Sequence, residues 1–378
     1  MSNRVFLVRN TVGFGGGEIY QLNLAKMLRK SGYEPVIITN SQELIRRAKE
    51  SGYSVLIPPY IERQNWSGVY NLLLPLYAVR LKKLEKWYEG MLREYAPEII
   101  NVQSRDDFIA VTIAAKRYSV ETVWTDHADF KSWVLTNVNV KFKNMIGKVI
   151  IDLSDEVEKV IFVSRTVFDE TKEMIKPMKL RNSIVIENGV FDECKKYSEV
   201  KAIKQSFVFI GRVVEEKGVA ELLMAFSKVR EKYPKTVLNI YGAGKIDEFK
   251  KIAGEGVVFH GETKEPLKAL AENDIFVLPS YREGLSLSLL DAAMMEKKII
   301  ASDVDGNPEV IENKVSGLLV PAKSAEKLAE AMMWMIENPR EASKMAQKAR
   351  KQYEEKFDFE KIFAEKMLPL YNNRKELK

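Results

Sequence analysis

With 378 residues, 46% of them hydrophobic and 30% charged, and a formal charge of +6, the chain has the balance of a soluble globular protein, neither disordered nor fibrous. Its length suits two domains of ordinary size better than one core. No run approaches the roughly 20 consecutive apolar residues of a membrane-spanning helix, and the start, MSNRVFLVRNTVGFGGGE, lacks the apolar core and cleavage site of a signal peptide. One cysteine (Cys194) and two histidines (His127 and His260) offer neither an internal disulfide nor a usual zinc ligand set, so no metal site is expected. The charge is unevenly placed: residues 1–150 hold 21 Lys and Arg against 14 Asp and Glu, which leaves the remainder close to neutral. A basic first part could face an anionic acceptor or an anionic membrane surface, or it could be an ordinary solvated face.

In chain order, RVFLVRN has the pattern of a buried strand, and EIYQLNLAKMLRKSG keeps apolar residues at helical spacing up to a glycine stop. PVIITN, SVLIP, PEIINVQ, ETVWTDH, KVIFVS and SIVIENGV follow as short β-rich runs between helical or loop stretches. That alternation predicts a parallel sheet covered by helices on both faces. The polar segment DECKKYSEVKAIKQS is expected to be a linker. The alternation then restarts with FVFIGR, VAELLMAFSKVREKYP, TVLNIYGAG and VVFHG. It continues through EPLKALAEND, DIFVLPS, LSLSLLDAAMMEKK, KIIASD, GLLVP and SAEKLAEAMMWMIEN, and ends in a helical tail, DFEKIFAEKMLPLYNN. The fold expected is therefore α/β, with two doubly wound Rossmann-like domains, residues 1–190 and 191–358, the first joined by a C-terminal helix over 359–378. Two such domains in tandem are expected to face across a cleft at the carboxyl ends of their strands.

Three loops carry candidate chemistry. Gly13-Phe14-Gly15-Gly16-Gly17-Glu18 lies between the first strand and the first helix, where glycines admit a close ligand and the helix start offers N–H groups to an anion. A dinucleotide site would also need an acid ending the second strand, and that strand ends Thr39-Asn40-Ser41. In the second loop Gly211-Arg212 follows a strand and Lys217-Gly218 opens the next helix, an arrangement of two cations suited to a diphosphate. The third is Arg282-Glu283-Gly284-Leu285-Ser286-Leu287-Ser288-Leu289-Leu290-Asp291, with a helix expected from just after Gly284. Along one helix Glu283 and Asp291 would stand roughly 12 Å apart and some 80° out of phase. That is unsuited to a paired acid and base, which need about 5–10 Å, but suited to gripping the two ends of an elongated ligand with an anion between them. A nucleotide sugar has that layout.

Taken together, these pieces resemble the retaining glycosyltransferases of family 4, which have the two-domain GT-B fold. The resemblance runs through Gly211-Arg212, Lys217-Gly218, Tyr241-Gly242-Ala243-Gly244, Phe259-His260-Gly261 and Glu283–Asp291. Beyond these it takes in Asp305-Gly306-Asn307-Pro308-Glu309-Val310-Ile311 and Ser316-Gly317-Leu318-Leu319-Val320-Pro321. The first half is similar through the Gly-Gly-Gly-Glu loop, Thr125-Asp126-His127, Val163-Ser164 and Glu187-Asn188-Gly189-Val190, so the likeness covers nearly the whole chain. It implies that Arg212 and Lys217 neutralise a donor diphosphate, that Glu283 binds the transferred sugar, and that N–H groups about Gly284, Leu285, Ser286 and Leu287 take the phosphates. It further implies that Asp291 holds the ribose, that Gly261 borders the donor, that Gly16 or Gly17 approaches the phosphate, and that His127 lies by the reacting carbon. Neither a cofactor nor a metal is implied. The family usually has Glu where this chain has Asp291, one methylene shorter.

The expected activity is retaining transfer of a hexose or N-acetylhexosamine from a nucleotide sugar, with UDP-sugar ahead of GDP-mannose. The acceptor would be a glycan, a lipid-linked molecule or a small molecule. A nucleotide-sugar 2-epimerase and a non-catalytic nucleotide-sugar-binding subunit stand as alternatives, the latter because of Asp291. Nucleic acid is not an expected partner, since no recognised motif accompanies the modest positive charge. The segment Leu72–Tyr95, with Leu76, Val79, Leu81 and Leu84 among Arg80, Lys82, Lys83 and Lys86, could rest on an anionic membrane, and Trp133 with Lys141–Lys148 adds a second basic stretch. The expected location is the cytoplasm, with peripheral contact at the inner face of the membrane as an option.

Overall fold

The central apolar runs form strands that are buried on both faces. Val5, Phe6, Leu7 and Val8 of the first strand are all fully shielded from solvent, which is what helices on either side of a parallel sheet impose. The structure, a computed structural model, describes residues 3–59, 74–127, 130, 141–175 and 179–372. It divides into two units: Met1–Glu187 with Phe363–Lys378, and Asn188–Ile362.

In unit 1 the strands are β1 (Arg4–Val8), β2 (Glu34–Ile38), β3 (Ser54–Leu56), β4 (Ile99–Val102), β5 (Glu121–Asp126), β6 (Lys159–Phe162) and β7 (Ser183–Val185). They pair in parallel in the order β3-β2-β1-β4-β5-β6-β7. The order reverses between β1 and β4, the topological switch point at which open α/β sheets place ligands. Helices α1 (Gly16–Lys30), α2 (Gln42–Glu50), α3 (Leu74–Tyr95), α4 (Arg105–Arg117), α5 (Lys141–Leu153) and α6 (Arg165–Met174) connect them. The stretch Leu368–Asn372 is tied to this sheet: Tyr33 Oη donates to the Tyr371 carbonyl at 2.7 Å, and Asn101 Nδ2 reaches Tyr371 Oη at 3.4 Å.

Unit 2 repeats the design. Its strands are β8 (Ile203–Ile210), β9 (Val237–Tyr241), β10 (Val257–Gly261), β11 (Asn273–Leu278), β12 (Lys298–Ser302) and β13 (Leu318–Val320). They are parallel in the order β10-β9-β8-β11-β12-β13, with the switch between β8 and β11. Its helices are α7 (Val219–Lys232), α8 (Ile246–Lys250), α9 (Pro266–Ala271), α10 (Leu287–Met294), α11 (Asn307–Val310), α12 (Ala325–Glu337) and α13 (Pro339–Lys356).

Three expectations need correction. The polar segment expected to be a linker is part of unit 2: β8 begins inside it at Ile203, whose N–H donates to the Glu272 carbonyl at 2.9 Å, and its first three residues are exposed at the sheet margin. The third loop stays extended through its N-cap, Ser286, so α10 starts at Leu287; only Asp291 is helical, and the helical separation worked out for Glu283 and Asp291 does not apply. The tail is not one regular helix but a turn (Phe359–Ile362), a π-helical turn (Phe363–Met367) and a last helical turn (Leu368–Asn372). The chain leaves unit 2 at Ile362 because the Phe359 N–H donates to the Val190 carbonyl at 3.0 Å and the Val190 N–H to the Phe357 carbonyl at 3.1 Å.

The turn before α7 is held by one glycine. Gly218 has φ +68°, and a Cβ there would lie 2.0 Å from the Pro279 carbonyl oxygen, in the loop after β11. Gly218→Ala should therefore combine left-handed backbone strain of about 1–2 kcal/mol with a clash against backbone. Chemical denaturation should register a loss of at least that size, and an unchanged midpoint would show that the turn is not under this constraint.

Candidate active site

In unit 2 the loops at the carboxyl ends of the strands bring most of the sequence-predicted residues together. The Tyr281 N–H donates to the Glu216 carbonyl at 2.8 Å, which fastens the loop after β11 to the short 3-10 turn Glu215–Lys217 after β8. That fastening, with Gly218 packed on Pro279, sets Lys217 beside Glu283: Nζ lies 2.5 Å from Oε1, with side-chain exposures of 18% and 9%. Glu283 also accepts from Ser280 Oγ at 2.6 Å, and its own N–H donates to Asp305 Oδ2 at 2.8 Å. The guanidinium of Arg212 is exposed and makes no side-chain hydrogen bond or ion pair among the described residues. Gly261, φ +72°, ends β10 and passes its carbonyl to the Gly242 N–H at 2.8 Å, which joins the loops after β9 and β10.

Leu285 and Ser286 are buried, and Leu287, the first residue of α10, is nearly so. The Ser286 side chain makes no capping bond, and the first backbone bond of the helix runs from the Leu290 N–H to the Ser286 carbonyl at 3.0 Å. The N–H groups of Leu287, Ser288 and Leu289 therefore have no partner within the helix, which makes this end electropositive. Asp291 lies one turn further on. It keeps some surface although protein surrounds it, and burial, followed by the neighbouring Glu193 charge, pushes its carboxyl up to about 7. Its side chain has no hydrogen bond or ion pair among the described residues.

Unit 1 holds a second cluster. Arg9 follows β1, Gln103 follows β4 and His127 follows β5, so three polar side chains leave adjoining strand ends. The Arg9 guanidinium lies against the first turn of α1: a Cβ at Gly17 would fall 2.2 Å from its central carbon. Gly17 thus accommodates Arg9, while Gly16 is exposed. Glu18 accepts from Arg9 Nε and Thr11 Oγ1, both at 2.6 Å, and from the Gly15 N–H at 2.8 Å. Burial pushes its carboxyl up, but the Arg9 charge and these bonds outweigh burial and hold it below its ordinary value. The α1 N-terminus accordingly already has an anion of its own.

Hydrogen-bond bookkeeping fixes the state of His127. Asn101 Nδ2 donates to Thr125 Oγ1 at 3.1 Å, Gln103 Nε2 donates to Asn101 Oδ1 at 3.1 Å, and Gln103 Oε1 consequently faces His127 Nε2 at 3.1 Å. An amide oxygen only accepts, so Nε2 carries the proton. Burial and then the Arg9 charge hold the imidazole well below its ordinary pKa, so it is neutral and Nδ1 is an acceptor. Tyr20 packs edge-on against the ring at 5.0 Å between centroids.

Two family models match the chain: "Glycosyltransferase Family 4" over residues 14–193 and "Glycosyl transferases group 1" over residues 204–338. The chain belongs to the family 4-type glycosyltransferases. A glycogen synthase of Mycobacterium tuberculosis is 27% identical over 296 residues, covering 75% of this chain and 70% of its own. A Campylobacter jejuni N,N'-diacetylbacillosaminyl-diphospho-undecaprenol alpha-1,3-N-acetylgalactosaminyltransferase is 31% identical over 178 residues, 45% of each chain. The Anabaena protein HepE, solved with UDP-glucose, superposes with a TM-score of 0.76 over 97% of this chain and 99% of its own at 17% identity, a likeness of fold. The two parallel sheets with their helices are those of the GT-B fold, and the protein is an enzyme that transfers sugars.

Sequence reasoning overlooked several residues of this glycosyltransferase. Arg9 was read only as the end of a strand, although a cation between a strand and a Gly-rich loop is itself a signal. Asp305 lies inside a motif and Gln103 at a strand terminus, and neither position carries a local signal of a role. All three lie just beyond the carboxyl end of a strand, the position that marks functional residues in open α/β sheets.

Asp291 sets a pH dependence. Its folded-state pKa of about 7 lies above the ordinary 3.8, so the folded protein holds this proton more tightly than the unfolded chain. The stability it contributes is fully present below about pH 4 and is lost as pH rises through about 7. Asp291→Asn keeps the shape without the ionisation and should remove that decline. Urea midpoints at pH 5 and pH 8 should differ less in the variant than in the wild type, and equal differences would mean that Asp291 does not titrate in this range.

Proposed function

We propose that the protein transfers a hexose or N-acetylhexosamine, with retention of anomeric configuration, from a nucleotide sugar to a glycan, lipid-linked or small-molecule acceptor. A UDP-sugar is the favoured donor and GDP-mannose the second. The observations that carry this reading are the Lys217–Glu283 ion pair, the exposed Arg212 just past the end of β8 and the uncapped start of α10. A nucleotide sugar suits each part. Its diphosphate draws Lys217 off Glu283 and takes Arg212 and the N–H groups of α10; Glu283, once released, accepts from the sugar hydroxyls, and Asp291 meets the ribose diol. HepE, with the same fold, was solved with UDP-glucose, which supports the UDP preference.

In the proposed reaction the bond from C1 to the diphosphate oxygen breaks, the acceptor oxygen bonds C1 from the same face, and the acceptor proton passes to the leaving phosphate. Negative charge grows on that phosphate, and fixed cations with oriented N–H dipoles stabilise it. We propose that these protein groups carry the charge and that no metal or cofactor is required. In unit 1, His127 would accept a sugar hydroxyl at Nδ1, and Gly16 would offer its exposed backbone to a phosphate.

The test is a screen of nucleotide sugars and nucleoside diphosphates by thermal shift, followed by assay of donor hydrolysis with and without EDTA. At least one should stabilise the wild type at millimolar concentration, and EDTA should leave turnover unchanged. Arg212→Ala and Lys217→Ala should each reduce kcat/KM by at least about 100-fold, as for loss of an oxyanion-stabilising group. Donor binding that is unaltered in both variants would refute this placement of the diphosphate.

For the acceptor side we propose peripheral contact of α3 with an anionic lipid surface. Its inner face buries Tyr77, Leu84, Tyr88 and Leu92, so Leu84 belongs to the core. Outward it exposes Leu76 and Val79, 61% and 53%, followed by Lys82, Lys83 and Lys86. Positions 76, 79, 83 and 86 share one face, an apolar first turn leading into a cationic stripe. Trp133 lies outside the described residues, as do the side chains of residues 141–145. No helix among the described residues is long and apolar enough to cross a membrane. The lipid-linked acceptor named for the Campylobacter relative supports a surface-bound substrate. The protein should co-sediment with phosphatidylglycerol vesicles at low salt but not with phosphatidylcholine vesicles, and replacing Lys82, Lys83 and Lys86 by Glu should abolish it. Retention by the triple variant would remove α3 as the contact.

A further inference from the structure

We propose that Asn188, the first residue of unit 2, is a positioning residue for donor binding: it locks the Leu285–Ser286 peptide in the orientation that presents N–H groups to the diphosphate. The proposal rests on the reading of Glu283–Asp291 as a donor site but goes beyond it, because Asn188 lies 97 positions away and touches no donor group. Its Nδ2 donates to the Leu285 carbonyl at 3.1 Å, and the side chain is 5% exposed. The direction is fixed by chemistry, since a carbonyl only accepts and the amide must turn its nitrogen toward it. That leaves Oδ1 buried and without a partner among the described residues. An unpaired buried oxygen is costly, so this side chain is not present merely to satisfy itself.

A trans peptide is planar, with its C=O and N–H pointing in opposite directions. Holding the Leu285 carbonyl against Asn188 therefore aims the Ser286 N–H away from it, toward the side on which α10 begins. The loop is fixed at two points: the Glu283 N–H on Asp305 Oδ2 at its start, and the Leu285 carbonyl on Asn188 at its end. Asn188 is itself anchored two residues on, where Val190 pairs with Phe357 and Phe359 and its carbonyl accepts from Tyr353 Oη at 2.9 Å. Without Asn188 the Leu285–Ser286 peptide can rotate, and its carbonyl can occupy the place of the N–H, which would repel a phosphate.

The experiment measures dissociation constants of UDP, GDP and ADP, and of uridine, by calorimetry. The proteins are the wild type, Asn188→Ala, Asn188→Ser and Tyr353→Phe, each checked for its unliganded melting temperature. Tyr353→Phe removes a hydrogen bond from the same segment without touching Leu285, so it reports a purely structural effect. The expected result is a loss of about tenfold in diphosphate affinity for both Asn188 variants, with little change for uridine and none for Tyr353→Phe. Hydrogen exchange on the wild type supplies a measurement that needs no variant: the diphosphate should protect amides within residues 285–289. Diphosphate affinity within twofold of wild type in whichever Asn188 variant folds, or equal losses in Tyr353→Phe, overturns the proposal while leaving the donor reading intact. No protection of residues 285–289 overturns both, because the donor reading places the diphosphate on the same N–H groups. A wild type that binds none of the three diphosphates overturns both.

Discussion

Lys217 and Glu283 come from loops that follow different strands, are largely withdrawn from water and stand 2.5 Å apart. Each charge is tolerable only because the other is present; removing one partner of such a pair typically costs about 3–5 kcal/mol. The surrounding geometry serves this juxtaposition. Gly218 lets the chain turn tightly enough to rest on Pro279, the Tyr281 N–H stitches the two loops, and Ser280 and Asp305 fix the glutamate from its other sides. The same constraint gives the site its chemical character, because an anionic ligand can take the lysine while a hydroxyl-rich one takes the glutamate.

The two units solve the same electrostatic problem with opposite polarity. In unit 2 the start of α10 is left uncapped, while Lys217 pairs with Glu283 of the loop that precedes it. In unit 1 the helix start is occupied by Glu18, and the cation that could have met a ligand, Arg9, is consumed by that carboxylate. Arg9 acts indirectly, by helping to keep His127 neutral, and the relay through Asn101 and Gln103 decides which imidazole nitrogen is bare. Of these two helix starts, the one left uncapped therefore lies in unit 2, despite the basic surplus of the first 150 residues.

Most of the architecture was legible because the central parallel strands, buried on both faces, appear as largely apolar runs such as Val5–Val8 and Ile275–Leu278. Polarity hid the rest. Ile203–Ser206 looked like linker because a strand end at a sheet margin has no need of apolar residues. The 18-residue α13 is absent from the expected elements because its buried face is built from Ala342, Met345, Ala346, Ala349 and Tyr353 rather than from large aliphatics. The start of α10 was misplaced because Gly284-Leu285-Ser286 has nothing that separates an extended approach from a first helical turn. Individual site residues were legible through motifs, whereas Arg9, Gln103 and Asn188 act through partners that lie far along the chain and have no local pattern.

The ends of unit 2 meet. Val190, just inside its beginning, forms a parallel bridge to Asp358 and exchanges backbone hydrogen bonds with Phe357 and Phe359, just before its finish. Topologically, unit 2 is an insertion into unit 1, closed at its neck by its own hydrogen bonds, and the last helical turn returns to bond with Tyr33 and Asn101 of the first 187 residues. A segment whose two ends are already joined can be removed, replaced or grafted with little demand on the host chain. Unit 2 is thus a transferable cassette, and chimaeras built at Asn188 and Ile362 are a route to recombining it with the first unit of a relative.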